Sequence, residues 1–363
     1  MDELARTALA TLLREEPTDV VELGGSQRSI VVRVTLADGG TVVAKQFLGD
    51  AAETSYRRER AGLRHLPRTP SLLECDPDAR LIVMTDVGTD DTLADLLLGS
   101  DRDTAWASAI SWAGALGDVV GQTVNQLDDV RADLDGAPVY DPTLSLREGA
   151  QALADLAGID VAVLAEDLDR IDALLGMVGA EVAWPSDTCP DNAVQTSTGW
   201  TFLDLEGTDV AHAALVAAYP AMPFATCWCV FDPPQDLTEQ MLAAFTLSLS
   251  GHAPHITDRA EWRTEVEVAS AVWILAATAW LLPNARTNDG PLGPEGSRSP
   301  TRRQLLRSRW RWLAQRLHRS MPALAAAGAD AVLWAEREWA DEPGIGPFPA
   351  FAEREAGEIP EHE

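Results

Sequence analysis

The stretch Pro185-Ser186-Asp187-Thr188-Cys189-Pro190-Asp191-Asn192 sets an Asp and an Asn five residues apart. A second Asp, Asp204, follows twelve residues later inside the apolar, strand-like run around Leu203 and Leu205. Oxygen-bearing side chains of this kind are what a hard cation such as Mg²⁺ prefers, and a carboxylate can also take a proton from a hydroxyl. What the three residues do together depends on whether the chain supplies a nucleotide site to go with them.

One basic residue stands apart. The chain holds 28 Lys and Arg residues, and the only Lys among them is Lys45. Arg carries a planar fork and Lys a compact charge on a flexible stem, so a site that places an ammonium between phosphate oxygens and a carboxylate does not accept the exchange. Lys45 lies in "SIVVRVTLADGGTVVAKQF", where apolar residues alternate at period two around Asp38-Gly39-Gly40. That pattern predicts a hairpin with Lys45 near the end of its second strand. Upstream, Gly24, Gly25 and Ser26 fall between a short apolar strand and the hairpin, where backbone N–H groups can close on phosphates. Downstream, "DAAETSYRRERAGLRHLP" has helical periodicity, ends before Pro67 and presents Glu59 toward Lys45.

The elements that position these residues follow in order. A buried strand from Leu81 to Met84 runs into Thr85-Asp86-Val87-Gly88, a plausible lobe boundary. Helices are expected around 92–99, 103–128, 146–157 and 160–179. Later, "MLAAFTLSLSGHAP", an apolar helix over 262–282 and a helix capped by Ser299 with Pro300 at its first position complete the chain.

Glycine-bearing hairpin, strand Lys, helix Glu, strand and hinge, helices, Asp-x4-Asn and a following strand Asp: the order resembles the protein-kinase-like fold, and within it the aminoglycoside phosphotransferase and choline kinase group. The specific motifs cover roughly residues 18 to 215. Where that group carries His-Gly-Asp-x-x-x-x-Asn, this chain has Pro185-Ser186-Asp187 through Asn192, so the Asp and Asn match and the leading His does not. The resemblance implies an α+β, bilobal fold, with a small β-rich N-lobe over 1–88 that binds nucleotide. A mostly helical C-lobe over 89–363 would carry the catalytic loop 185–207 and the acceptor-binding helices. It implies ATP and Mg²⁺, with Lys45 on the α and β phosphates, Glu59 fixing the ammonium, and Asn192 and Asp204 on the metal. Asp187 would take the proton of an acceptor hydroxyl. Adenine would pair with the Thr85 carbonyl and the Val87 N–H, behind Met84. Pro185 has no side-chain donor, which leaves the stiffness of the Asp187 loop open.

Composition bounds the partners. At 363 residues the chain exceeds the ~250–300 at which one core divides, and its formal net charge is -29. Nucleic acid is excluded by that charge, and a cationic partner is favoured; the same charge also serves plain solubility. The N-terminus has no basic segment or small-residue cleavage site, so it is not read as a secretory signal. The apolar run from Val268 meets Pro283 after fifteen residues, short of the ~20 a bilayer needs. Cys75, Cys189, Cys227 and Cys229 are expected as buried thiols in a reducing, cytoplasmic setting, rather than as a metal site.

The acceptor is a small molecule with a hydroxyl. A cationic aminoglycoside-type antibiotic, which would mean a role in resistance, fits the acidic balance; a macrolide, nucleoside or amino alcohol kinase shares the same motifs, and so does a nucleotide-binding scaffold without turnover. Asp191, Glu206 and Asp209 are candidates for a cation-binding rim. The Arg-dense face around Trp310 and Trp312 is expected to pair internally, and His252 and His255 near Asp258 to be solvated. The 284–298 segment is expected as a long loop, and the acidic tail after Pro343 as only partly ordered.

Overall fold

The computed structural model of the chain describes residues 1–25, 28–134 and 142–352. Ser26 lies outside the described residues, as does the tail beyond Ala352. The N-terminal part consists of α1 (Glu3–Leu13), β1 (Asp19–Gly25), β2 (Ser29–Thr35), β3 (Thr41–Phe47), α2 (Ala52–His65), β4 (Leu72–Asp76) and β5 (Leu81–Thr85). The five strands form one antiparallel sheet in the order β1-β2-β3-β5-β4. The β2–β3 hairpin turns at Asp38-Gly39-Gly40, where Gly39 has φ +86°, a left-handed conformation that favours glycine. Gly24 and Gly25 are not in a connection as expected; they end β1, opposite Val31 and Ile30, because the ladder extends to the edge of the turn.

Period-two alternation divides the sheet faces. Val32, Val34, Val42 and Ala44 point to the outer face and bury against Ala8 and Leu9 of α1. Asp2 caps α1, its carboxylate accepting from Ala5 N at 2.8 Å. The other face, with Val31, Arg33, Val43 and Lys45, lines the interlobe cleft.

After Gly88 the chain is mostly helical: α3 (Leu93–Leu98), α4 (Arg102–Thr123), α5 (Leu127–Leu134), α6 (Pro142–Ala157) and α7 (Ala165–Leu175). The single helix expected over 103–128 is therefore two, and the one over 160–179 opens with a separate 3-10 turn, Val161–Leu164. Short strands follow: β6 (Glu181–Trp184), β7 (Ala193–Thr196), β8 (Gly199–Phe202) and β9 (Asp209–His212), pairing β6 with β9 and β7 with β8. The remainder is α8 (Ala213–Ala221), α9 (Gln235–His252), α10 (Pro254–Thr257), α11 (Trp262–Thr287), α12 (Arg302–Arg316) and α13 (Pro322–Glu338).

Three expectations change here. Pro283 does not end the apolar helix, since a proline removes only its own N–H bond and residues beyond it continue the ladder; α11 runs 26 residues to Thr287. By length and a mean hydropathy of 1.6 it could span a bilayer, but it packs at the centre of the helical lobe against α6, α8 and α12. α12 is capped by Thr301, not Ser299. Thr301 Oγ1 accepts from Gln304 N at 3.2 Å while Gln304 Oε1 accepts from Thr301 N at 2.9 Å, a reciprocal pair that Ser299 does not offer. The tail packs further than expected, with Phe348 buried between Phe224, Phe231 and Phe351.

The Arg-rich face of α12 is internal, and it meets carbonyls more than acids. Buried Arg309 donates to the carbonyls of Pro223, Phe224 and Ala225, and desolvation pulls it down to about 10. His252 bonds Asp118, Nε2 to Oδ1 2.9 Å, and His255 is exposed.

Candidate active site

The twelve-residue spacing between Asn192 and Asp204 is closed by a hairpin. β7 and β8 pair from Ala193 opposite Phe202 to Thr196 opposite Gly199, so the residues flanking the hairpin meet at its base. Leu203 N donates to the Asn192 carbonyl at 2.8 Å, and Asp204 is the next residue. Asp204 has φ +56°, a left-handed conformation that Asp tolerates better than most side chains.

Lys45 joins this base to the other lobe. Its Nζ donates to Glu59 Oε2 at 2.9 Å and to Asp204 Oδ1 at 2.6 Å. Burial pulls the Lys45 ammonium down, but the two carboxylates outweigh it and hold the group protonated, above its ordinary value. Burial pushes Glu59 up to about 6, against the pull of Lys45 and with Asp204 adding to the rise. Both groups are thus raised for different reasons, Lys45 by its two carboxylates and Glu59 first by burial and then by Asp204.

Helix α2 delivers Glu59 because it docks tightly. A Cβ on Gly62 would lie 2.5 Å from Thr208 Oγ1 and 2.7 Å from Leu205 Cβ, so only glycine allows that approach. Arg58, one residue before Glu59, donates to the Thr208 carbonyl and to Asp209 Oδ2, each at 2.8 Å.

Asp187 sits on the loop after β6. The residue is exposed to solvent, yet protein crowds around its carboxyl. That crowding, together with Asp204 and Asp191, pushes it up to about 6. A carboxyl titrating there is better matched to proton transfer near neutrality than an ordinary Asp. The loop is bounded by close packing, since a Cβ on Gly207 would lie 2.8 Å from Ser186 Cβ.

A cavity of about 440 Å³ lies between the lobes, and Asp187 is not in its wall. Lys45, Glu59, Asn192 and Asp204 are in its wall, as are Met84, Thr85 and Val87 of the connection. A broader groove of about 1440 Å³ lies between α9, α11 and α12, and none of the candidate site residues lines it.

The sequence reading missed several residues here. Arg33 clasps the connection, bonding both oxygens of Asp86, at 2.5 and 3.0 Å, and the Gly88 carbonyl at 3.0 Å. Partial burial pushes Asp86 up, but Arg33 and the Gly88 N–H outweigh it and hold the carboxyl below its usual range. The signal was available: Arg33 faces Val43 across the ladder, two residues along from the Val31–Lys45 pair, hence on the same face. Cys189 and Cys227 form a disulfide, so two of the four expected thiols are paired; their sequence separation of 38 gave no hint of the contact. Cys75 and Cys229 remain thiols.

The three rim acids are all engaged. Asp209 pairs with Arg58, Glu206 lies 3.2 Å from Arg28, and Asp191 Oδ2 accepts from the Trp228 indole N–H at 2.8 Å.

Comparison with known proteins bears on the fold. No family model and no curated protein matches the sequence. Among solved structures, a choline/ethanolamine kinase family protein from Mesorhizobium loti aligns with a TM-score of 0.53 at 16% identity, covering 91% of this chain and 99% of that one. The gentamicin complex of APH(2")-IIa aligns at 0.51 and 12% identity, covering 92% and 98%. Choline kinase LicA from Streptococcus pneumoniae aligns at 0.50 and 13%, covering 89% and 98%. This is the protein-kinase-like fold. It is bilobal and α+β, in the form shared by choline kinases and aminoglycoside phosphotransferases. Within the kinase-like fold, the cavity of this chain occupies the cleft between its sheet and its helices.

Proposed function

We propose that the chain is an ATP-dependent phosphotransferase that moves the γ-phosphoryl group of Mg·ATP to a hydroxyl of a small, positively charged acceptor. The observation that carries this reading is the convergence of Lys45 with Glu59 and Asp204 on one wall of the interlobe cavity. In that reading Lys45 holds the α and β phosphates, with Glu59 keeping its stem in place. The connection at Thr85 to Val87 receives the adenine, and backbone N–H groups at Gly24 and Gly25 close on the phosphates.

The donor set fits Mg²⁺, with an Asn192 carboxamide and an Asp204 carboxylate in a region of surplus negative charge. The metal, when bound, neutralises charge on the transferring phosphates. Asp187 accepts the acceptor proton as the new O–P bond forms and the bond from phosphorus to the β–γ bridging oxygen breaks. ADP leaves with the bridging electron pair.

A cationic acceptor is supported by the net charge of -29. Because Asp191, Glu206 and Asp209 each have a partner, the preference rests on the field of the whole molecule rather than on a ring of free acids.

The test has two stages. Saturating ATP should raise the melting temperature, more so with Mg²⁺, since a ligand at ~100 times its Kd adds about 2.7 kcal/mol. Hydroxyl compounds are then screened for stimulated ADP formation, with polyamino sugars expected to exceed neutral macrolides and nucleosides. No shift and no ADP from folded protein would defeat the reading. A shift with no ADP under any acceptor would leave a nucleotide-binding scaffold.

A further inference from the structure

The loop that carries Asp187 and Asn192 is held mainly by contacts of its own. Asp187 N donates to the Pro185 carbonyl at 3.0 Å, Thr188 N to Ser186 at 3.1 Å, and Asn192 N to Cys189 at 2.9 Å. The bond from Cys189 N to Asp187 Oδ1 and that from Asn192 Nδ2 to the Asp187 carbonyl are both long, at 3.4 Å. Pro185 offers no side-chain donor to stiffen them.

Besides the bond from Leu203 N to the Asn192 carbonyl at its far end, two links reach outside the loop, and they end on consecutive residues. Cys189 is bonded covalently to Cys227, and Asp191 Oδ2 accepts from the indole N–H of Trp228 at 2.8 Å. They flank Pro190 on either side, between Asp187 and Asn192.

The segment that receives them is a fixed wall. Met222, Phe224, Ala225, Cys227, Cys229 and Val230 are all essentially fully buried. Arg309 of α12 holds the carbonyls of Pro223, Phe224 and Ala225 just upstream, and Trp228 abuts Gly293, where a Cβ would lie 2.7 Å from its ring. The wall cannot readily follow the loop, so the links set where the loop sits.

We infer that the Cys189–Cys227 disulfide and the Trp228–Asp191 hydrogen bond form a two-point clamp that positions the Asp187–Asn192 loop, and that a dithiol reductant opens it and slows phosphoryl transfer. The inference rests on the phosphotransferase reading and adds positioning residues and a redox control to it. The exchange balances. One thiolate of the dithiol attacks Sγ of Cys189, the partly exposed partner, and the Cys227 thiolate leaves. The second thiolate then attacks the mixed disulfide, closing the reductant into its own disulfide and releasing Cys189. Two electrons and two protons pass to the protein. The ties left, from Trp228 to Asp191 and from Leu203 N to the Asn192 carbonyl, both lie at the Asn192 end, so the loop gains freedom at Asp187, and a displacement of about 1 Å at a reacting group costs up to on the order of 10²-fold in rate.

The experiment uses the full chain, air-oxidised or treated with dithiothreitol until free thiols rise from the two of Cys75 and Cys229 to all four. Three quantities are read: hydrogen exchange of the peptide spanning 186–192, affinity for Mg·ATP, and ADP formation by hydrolysis, which needs no acceptor. Reduction should raise exchange in that peptide and lower the rate constant at least about tenfold. Affinity for Mg·ATP should stay within about twofold, because Lys45, Asp204 and the adenine connection lie outside the loop and Leu203 N still holds the Asn192 carbonyl at 2.8 Å. Reoxidation should restore the rate. The Cys189→Ser/Cys227→Ser variant should be slow and indifferent to dithiothreitol, and Trp228→Phe should deepen the loss on reduction. Cys75→Ser should behave as wild type.

Unchanged exchange after full reduction would overturn the clamp. Raised exchange with an unchanged rate, or a parallel fall in nucleotide affinity, would overturn its role in positioning Asp187. If oxidised protein neither binds Mg·ATP nor forms ADP, the phosphotransferase reading fails and takes the redox control of transfer with it, while the exchange measurement still decides whether the clamp exists.

Discussion

Lys45 Nζ lies 2.6 Å from Asp204 Oδ1, so a strand of the small lobe and the hairpin base of the large one share a single ammonium. Glu59, 2% exposed, depends on the same ammonium. Lys45→Met should therefore destabilise the fold by about 3–5 kcal/mol at neutral pH, the usual result of stripping a buried charge of its partner. Glu59 would take up a proton as the pH falls, so the loss should shrink toward pH 5. Adding Glu59→Gln should recover much of it. Urea unfolding of the two variants at pH 7 and pH 5 checks both statements.

The roles proposed for the loop residues differ in kind, and their substitutions should too. Asp187→Asn keeps size and polarity but cannot accept a proton, so turnover should fall by about 10²–10⁴ with Mg·ATP affinity nearly intact. Asp204→Asn should weaken the Mg²⁺-dependent part of nucleotide binding as well as turnover. Pro185→His should leave activity present. Side-by-side calorimetry and ADP release on the three variants separate these outcomes, and a wild-type rate for Asp187→Asn would remove the proton-acceptor role.

Gly62→Ala is the smallest change that should separate the lobes. Its methyl would meet Thr208 Oγ1 at 2.5 Å and Leu205 Cβ at 2.7 Å, so α2 must shift and draw Glu59 from Lys45. Overpacking of this kind costs roughly 1–3 kcal/mol. Turnover should fall further than stability alone explains, which thermal melts and rates measured on the same preparation would reveal.

His212 makes the fold sensitive to acid. It caps α8 through Nδ1, accepting from Ala214 N at 3.1 Å, and burial together with nearby Arg259 lowers it to about 4. The unfolded chain binds its proton near pH 6.5 and the folded chain resists until about 4. Stability is thus lost as pH falls across that window, by about 3 kcal/mol in all. His212→Asn keeps a capping acceptor without titrating and should flatten the urea-midpoint curve between pH 6.5 and 4. An unaltered pH dependence would show that other groups set it.

The fold was legible where local pattern and chemistry coincide. Alternation around Asp38-Gly39-Gly40 marked the hairpin, the lone Lys45 marked the cleft face, and Asp-x4-Asn with a later Asp in an apolar run singled out Asn192 and Asp204, which meet at the base of β7 and β8. What escaped depends on distance through space. Nothing local distinguishes Cys189 from Cys75, and the partner of Cys189 is reached only after β9 and α8 have folded back. Pro283 looked like a stop because its effect on one hydrogen bond is local, whereas the packing that continues α11 is not. The rim acids read as free charges because the Arg partners of two, Arg58 and Arg28, lie more than 150 residues away in sequence.

The docking of α2 also decides how a ligand can leave. Gly62 and Arg58 fasten that helix to the segment from Leu205 to Asp209, and Arg33 stiffens the covalent connection at Asp86 to Gly88. Both fixtures hold the sheet to the helical lobe, one through α2 and one through the connection. A further tie across the cleft is Arg28 to Glu206, with side chains 69% and 12% exposed. Solvent screens a pair whose arginine is this exposed, so it is the weaker tie across the cleft beside the buried Lys45 and its bond to Asp204. If the cleft holds nucleotide as proposed, salt that weakens this surface tie would ease the departure of spent nucleotide.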